Sequence, residues 1–448
     1  MKVEPLDHEW WRPAARRVAR DEATTQSRVA HGAVAHAPVA FWSLVVFMGI
    51  LLVAPQAFFP VLAPLRLALL AAGVAMTAHV VTSLTTGRPI LIMTREMKIS
   101  LCLLGWAIVT IPLSLWPGGS VDTLTDLYVK SLILFWLIAN TVITVSRFRQ
   151  FAWGLTLMTV PISSFALMNY MSGTYLFGTD RIVGYEAALT SNPNDLALTL
   201  NLIIPLILAL LWLTRGPLLR AILLTVLGLD IAGVILSFSR GGFITLVVIL
   251  AITNVRLLRS RRRAWGIALL TVFFLCLPLL PGSYWHRIST ITDIESDETG
   301  SAQARRENTL GAIRFVFTHP IVGAGLGSNM LALNEEIGST WRAVHNVYLQ
   351  YAVDLGLPGL GLFLALFSTC FAAASAARSS VGRRRGARDL TQFAQATRLS
   401  LIAFGVAGFF HPVAYHFYFY YLAGLASALR LVEKRVLSQR PLTAVHSR

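Results

Sequence analysis

The sequence predicts an all-α polytopic membrane protein with about twelve transmembrane helices, and three observations carry that prediction. The first is composition. Of 448 residues, 55% are hydrophobic and 13% charged, against about 25% charged in soluble domains, and the mean hydropathy is +0.63. The second is the recurrence of apolar runs of roughly 20 residues, long enough to cross ~30 Å of hydrocarbon as helices. The third is the placement of basic residues, which gather in alternate connections between those runs.

The apolar runs lie near 39–58, 62–84, 97–116, 124–145, 151–171, 194–214, 218–238, 241–256, 264–281, 346–376, 397–412 and 416–433. Basic connections are 85–96 (Arg88, Arg95), 146–150 (Arg147, Arg149) and 215–220 (Arg215, Arg220). Two more are 256–263 (Arg256, Arg259, Arg261, Arg262, Arg263) and 377–396 (Arg378, Arg383, Arg384, Arg385, Arg388). The positive-inside rule assigns these connections and both termini to the cytoplasm. The intervening connections face outward. This divides the chain into a cytoplasmic tail 1–38, a membrane domain 39–433 with an outward loop 282–345 inserted in it, and a cytoplasmic tail 434–448. No small-residue cleavage pattern follows the first apolar run, so the first helix is expected to act as its own signal.

The net charge of +16 reflects this topology rather than nucleic-acid binding, because no basic motif alternates with aromatics. Membrane lipids are the expected surroundings. The three cysteines, Cys102, Cys276 and Cys370, each fall inside an apolar run without a CxxC, and read as small buried hydrophobes.

Two outward loops are long, 172–193 and 282–345, and loops of that length commonly carry function. The second has a helical pattern at 303–318, with Leu310, Ile313, Phe315, Val316 and Phe317 as its apolar face, followed by His319-Pro320 and Gly323-Ala-Gly325-Leu-Gly327. That glycine run reads as a turn between loop helices, since no strand precedes it as a dinucleotide fingerprint requires. In Asn192-Pro193-Asn194-Asp195, Asn192 caps a helix and Pro193 takes its first position. Asp126 and Lys130 are spaced for a helical salt bridge.

Arg181 and Arg240 break the charge rule by standing on the outward side. Arg240, in Ser239-Arg240-Gly241-Gly242, sits between two spans with almost no loop, so it belongs at the membrane boundary. The adjacent glycines permit close approach of a ligand or another backbone. The bland alternative is a snorkelling arginine, or one paired with Asp180, Glu186 or Asp195. His345 opens the long helix after loop 282–345, among Asn346, Tyr348 and Gln350. A neutral imidazole there is a proton acceptor near neutral pH; the alternative is a histidine that only caps or packs. Tyr348, on the same helical side, is a candidate to orient the ring or a substrate. Arg305, Arg306, Arg314 and Arg342 are possible helpers, or solvated charges balanced by Asp293, Glu295, Asp297, Glu298 and Glu307. His319, His411 and His416 are also outward, but no carboxylate-backed pair has metal spacing, so no metal and no cofactor are expected. Asp230 and Arg66, the main mid-span charges, are what a twelve-helix transporter or flippase would use.

Taken together, Arg181 running into Asn192-Pro193-Asn194, Ser239-Arg240-Gly241-Gly242, His319-Pro320 with Gly323 and Gly325, and His345-Asn346-Val347-Tyr348-Leu349-Gln350 with Gly356 and Gly359 resemble the O-antigen ligase and polymerase superfamily in order and spacing. The resemblance implies a GT-C-like membrane fold and metal-independent, inverting glycosyl transfer on the periplasmic face. The donor it implies is a glycan on undecaprenyl pyrophosphate, and the acceptor a hydroxyl of lipid A–core or another glycan. Carried onto this sequence, it assigns Arg181 and Arg240 to the donor pyrophosphate and His345 to the acceptor hydroxyl, with Asn346, Tyr348, Arg314 and Arg342 as possible helpers. Ligase, exopolysaccharide polymerase and protein oligosaccharyltransferase share the pattern. The ligase label is adopted, with the polymerase as its near equal.

Overall fold

The computed structural model describes residues 38–438 except 177–180, 186–189, 262, 277, 279–300, 339–340 and 382–387. Both terminal tails (but for Pro38 and residues 434–438), Asp180, Glu186, the loop acids Asp293 to Glu298 and the basic run Arg383 to Arg385 therefore lie outside it.

The chain is an all-α polytopic membrane protein. Its helices are α1 (Pro38–Val53), α2 (Leu67–Thr85), α3 (Arg95–Thr110), α4 (Pro117–Thr123), α5 (Val129–Thr141), α6 (Val145–Met171), α7 (Pro193–Leu213) and α8 (Pro217–Leu236). There follow α9 (Arg240–Leu258), α10 (Arg263–Cys276), α11 (Ser301–Thr318), α12 (Asn329–Ile337), α13 (Val347–Val381), α14 (Arg388–Ala407) and α15 (Phe417–Ser438). No strand occurs among the described residues; one isolated antiparallel bridge joins Tyr175 to Ile182.

A helix occupies each expected span, but among the described residues only 7 helices are long and apolar enough by themselves to cross a membrane. Of the others, α1 has 16 residues, α5 has 13 and α10 has 14 as described. The remaining two, α14 and α15, are long enough but carry charges such as Arg388, Asp389, Arg398, Arg430 and Glu433 along their length. The segment 282–345 holds two helices among its described residues: α11, where the periodicity at 303–318 suggested one, and α12, which the periodicity did not indicate.

At the centre stands α7. Its hydrophobic residues continue around the whole helix, so no face suits water, and a helix of that kind is buried by its neighbours. It packs against α6, α8, α9 and α14, and 78% of its most apolar window is inside the protein. The aromatic run Phe417-Tyr418-Phe419-Tyr420-Tyr421 opens α15 and packs it on α5 and α13.

The segment α13 is not one continuous span. Gly356 (φ 68°, ψ −175°) breaks it two residues before Pro358, separating a short helix that carries Asn329-facing Asp354 from the long apolar one. The turn 320–327 is laid against the break. Ala324 donates its N–H to Val353 O (2.7 Å), Gly325 to Asp354 O (2.8 Å), and Leu357 to Pro320 O (2.7 Å). Gly323, Gly325 and Gly327 all have positive φ (71°, 95° and 75°). A Cβ on Gly356 would run into the carbonyl of Ile321, and one on Gly323 into that of Val353. Two glycine motifs far apart in sequence thus form one backbone-to-backbone splice fixing the start of α13.

Several expectations change in detail. On α11 the buried face is Asn308, Gly311, Ala312 and Phe315, whereas Leu310, Ile313 and Phe317 are exposed, Phe317 at 82%. The helix is apolar on two sides, and only one packs on α12, where Gly311 meets Ile337 and Leu333. Arg66 is not mid-span: it caps α2 in the left-handed region (φ 44°), exposed. Asp230 is fully buried on α8, which packs on α6 and α7. Of the cysteines, Cys370 is buried and Cys102 exposed on an apolar surface, while the side chain of Cys276 lies outside the described residues. Lys130 does pair with Asp126 at 2.9 Å, though both are exposed, where such pairs contribute little.

The splice makes a direct prediction. Gly356→Ala must accommodate both a left-handed backbone and a Cβ against a carbonyl, and is expected to destabilise by at least ~2 kcal/mol. Gly361→Ala, where nothing lies within 4 Å, is expected to be tolerated. Melting temperature and monodisperse yield in detergent compare the two.

Candidate functional site

Asn194 is the node of the site. Asn192 caps α7 by accepting the Asn194 N–H (2.9 Å), with Pro193 at the first helical position. That cap holds the Asn194 side chain over the helix end, where Oδ1 accepts from Arg181 Nη2 (2.7 Å) and Ser239 Oγ (2.9 Å). Ser239 is itself the N-cap of α9, accepting from Gly242 N (3.1 Å). One amide oxygen thus ties the Arg181 loop to the segment carrying Arg240. Arg181 is also within electrostatic range of Asp195, which matches the pairing suggested by the sequence.

Arg240 is the first residue of α9, reached from α8 through Ser237-Phe238-Ser239. So short a reversal requires a left-handed residue, and it is Phe238 (φ 54°), at a cost of about 1–2 kcal/mol for a non-glycine residue. Gly241 and Gly242 serve close packing: a Cβ on the first would strike Phe410, and one on the second Ala197. Asn201 on α7 donates to the Gly242 carbonyl (2.9 Å), fastening α9 to α7. The place of Arg240 is electrostatically unfavourable in isolation, since a helix N-terminus already carries roughly half a positive charge.

His345 lies just before α13. Its Nδ1 is 2.8 Å from the Ala343 carbonyl. A carbonyl only accepts, so Nδ1 carries the hydrogen and Nε2 presents the lone pair. Burial pushes the imidazole pKa below its usual value, and Arg305 and Arg342 push the same way against the Ala343 hydrogen bond. The ring is therefore a neutral acceptor at pH 7. Its segment is held from behind: Val344 N–H donates to Asn329 Oδ1 (3.1 Å), and Asn329 Nδ2 lies 3.4 Å from the buried carboxylate of Asp354. Val347 N–H donates to Gly408 O (2.7 Å), joining the start of α13 to the loop between α14 and α15.

His411, in that loop, completes the connection. It is buried, with Nδ1 2.8 Å from Ala407 O and Nε2 3.1 Å from Asn194 O. Two carbonyls favour its protonated form; burial opposes it and prevails, aided by Arg305 and His345. Its electrostatic coupling to both places Arg305, His345 and His411 in one neighbourhood. The N-termini of α7, α9 and α13 thus meet around the 408–411 turn, with Arg181, Arg240, Arg305 and His345 among them. Convergent helix N-termini and guanidinium groups bind anions.

The other sequence candidates separate. Asn346 is the cap of α13: its Oδ1 accepts from Tyr348 N (2.9 Å) and Leu349 N (3.1 Å). Tyr348 does not orient His345; its hydroxyl donates to Gly405 O (2.7 Å) and its ring packs on Phe409. Arg342 is exposed but within electrostatic range of His345. Arg314 is nine residues beyond Arg305 on α11, about 13 Å along the axis and on the opposite face; it is exposed and not brought to this group. His319 stacks on Phe315 with centroids 4.4 Å apart. Sequence reasoning named Asn194 only within the Asn192-Pro193-Asn194-Asp195 turn and family motif, and His411 only as an outward histidine. Their signal was present only as polar residues at span ends, with nothing to pair them across more than 200 residues.

These features define a class: a helical membrane protein with a cationic, histidine-bearing site at one end of the bundle. Residues 223–364 match the family model described as O-Antigen ligase, which supports the O-antigen ligase superfamily. The matched stretch includes Arg240 and His345 and stops short of Arg181. It supports a glycan-transferring function of the ligase or polymerase type. No curated protein matches the chain significantly.

His416 supplies a check on the turn. Burial lowers its pKa to about 4, so between pH 6.5 and 4 the unfolded chain takes up a proton that the folded chain refuses. Stability present above pH 6.5 is then lost as pH falls towards 4, by up to ~3 kcal/mol. Melting temperatures in detergent across this range should fall further for wild type than for His416→Gln.

Proposed function

We propose that the protein is an O-antigen ligase-type glycosyltransferase that moves a glycan from undecaprenyl pyrophosphate to an acceptor hydroxyl of lipid A–core, on the periplasmic face of a bacterial inner membrane. The observation that carries this reading is the gathering of Arg181, Arg240 and the N-termini of α7, α9 and α13 beside a neutral histidine. An anionic leaving group needs cations and N–H donors, and an acceptor hydroxyl needs a proton acceptor.

In this mechanism Arg181 and Arg240 hold the pyrophosphate by forked charge-assisted hydrogen bonds of ~1.5–3 kcal/mol each. They bear the charge that develops as the bond from the anomeric carbon to the phosphate oxygen breaks, so no divalent ion is required. His345 Nε2 takes the proton of the acceptor hydroxyl as its oxygen attacks the anomeric carbon from the opposite side, which inverts the configuration. The leaving undecaprenyl pyrophosphate keeps the electron pair. Arg305 and Arg342 keep the histidine neutral before the donor arrives. The lipid tail would lie along the apolar helix surfaces, and α11 and α12 would border the acceptor's approach. Both termini are cytoplasmic in this arrangement, 39–433 is the catalytic membrane domain, and 282–345 is its periplasmic insertion. A polymerase would use the same site with a second carrier-linked glycan as acceptor.

His345→Ala should abolish transfer in a protein that still inserts and melts normally, and Arg240→Ala should reduce it ten- to a hundredfold. Lipopolysaccharide gels of a complemented deletion strain, with secreted polysaccharide quantified in parallel, read the outcome. Loss of every capped band identifies a ligase, and loss of secreted polymer with intact lipopolysaccharide a polymerase; full activity of His345→Ala removes the histidine from the mechanism. Because His345 must be neutral to act and its pKa is lowered, the acid limb of kcat/KM should have its midpoint below 6.5. A midpoint above 6.5 would contradict the role.

A further inference from the structure

The end of the bundle opposite the site holds a second constellation. Between the far ends of α7, α9 and α14 lies an open hollow of about 320 Å³. Its polar wall is Arg256, Arg388, Gln392, Gln395, Thr253 and Ser260, and no carboxylate lines it among the described residues. The rest is apolar, with Leu208, Trp212 and Leu399 facing the same space. Arg388 is held in place by donating to the Trp212 carbonyl (2.9 Å). Arg256 is half-buried and faces like charges, Arg378 and Arg398, within electrostatic range. The nearby acid on α14, Asp389, is engaged by Arg149.

Concentrating arginines at the mouth of an apolar hollow is unfavourable unless an anion shares it. The donors match one chemistry. Two guanidinium groups and two amides are placed for phosphate oxygens, hydroxyls are placed for a polar head, and an indole and leucines for the glycerol and upper acyl chain beside it. Trp212 is at the depth where indoles anchor membrane proteins, one residue before the end of α7. Basic pockets between spans on the positive side are where anionic headgroups dock.

We propose that this hollow is a binding site for the phosphate headgroup of an anionic phospholipid of the leaflet at the basic end of the bundle. Arg256 and Arg388 grip the phosphate, Gln392 and Gln395 hydrogen-bond the headgroup, and Trp212 covers the glycerol. The bound lipid neutralises the cluster and ties α9 to α14, the two helices whose other ends carry Arg240 and lead into His411. The site stands independently of the glycosyl-transfer reading.

The test uses the full-length purified protein in detergent. Phosphatidylglycerol and phosphatidylcholine are added separately, with retained lipid counted by native mass spectrometry and stability read by melting. Wild type should retain phosphatidylglycerol at least fivefold over phosphatidylcholine and melt at higher temperature with it. Arg256→Gln with Arg388→Gln should lose that preference, while the Lys pair at the same positions should keep most of it and Arg263→Gln all of it. Equal retention of the two lipids by wild type overturns the proposal even if the double Gln variant fails to fold. So does an undiminished preference in that variant. Inorganic phosphate raising the melting temperature as much as phosphatidylglycerol would assign the site to a soluble anion instead.

Discussion

One amide side chain bears much of the architecture. Asn194 accepts from Arg181 and from the cap of α9, while its own carbonyl faces His411. Three segments distant in sequence meet there, and each is held by something else as well. Asn192 fixes the Asn194 end of α7, the Asn201 bond and the glycine contacts fix α9, and the Gly408 bond to α13 fixes the turn that carries His411. An asparagine fits because its oxygen has two lone pairs and no charge. A carboxylate at that point would add a second negative charge beside Arg181, which already has Asp195 within electrostatic range.

The electrostatics of the two ends of the bundle differ in kind. At the basic end, arginines are numerous and mostly exposed. At the other end they are few and partly buried, beside helix N-termini whose dipoles add to their charge. A fold that accepts this repulsion compensates for it through packing. The buried core of α7 and the aromatic start of α15 supply the packing, and the splice of 320–327 onto the Gly356 break sets where His345 comes to rest. A continuous helix through Gly356 would leave the glycine turn without its partners at Val353, Asp354 and Leu357.

Much of this was legible in the sequence. The apolar helices, the loop helix at α11, the cap at Asn192 and the family motifs follow from hydropathy, periodicity and local chemistry. The span count was less secure, because helices such as α5 and α14 are buried among others and need neither full length nor full apolarity. The exposure of Leu310, Ile313 and Phe317 was not legible, because periodicity reports that a face is apolar without saying what it touches. Tyr348 shows the same limit: its helical side follows from spacing, but its hydroxyl is claimed by Gly405, on a helix more than 50 residues away. Asn194 and His411 were hidden because their roles exist only when α7 and the 408–411 turn are brought together.

The most direct measurement of the central claim is equilibrium binding of a polyprenyl pyrophosphate to the purified protein in EDTA, with the corresponding polyprenol as control. A site built from arginines and helix N-termini should bind the pyrophosphate at least tenfold more tightly than the alcohol without any divalent ion, and lose that margin on Asn194→Ala as well as on Arg240→Ala. Equal binding of the two lipids, or a pyrophosphate preference that appears only when a divalent cation is added, would contradict the account.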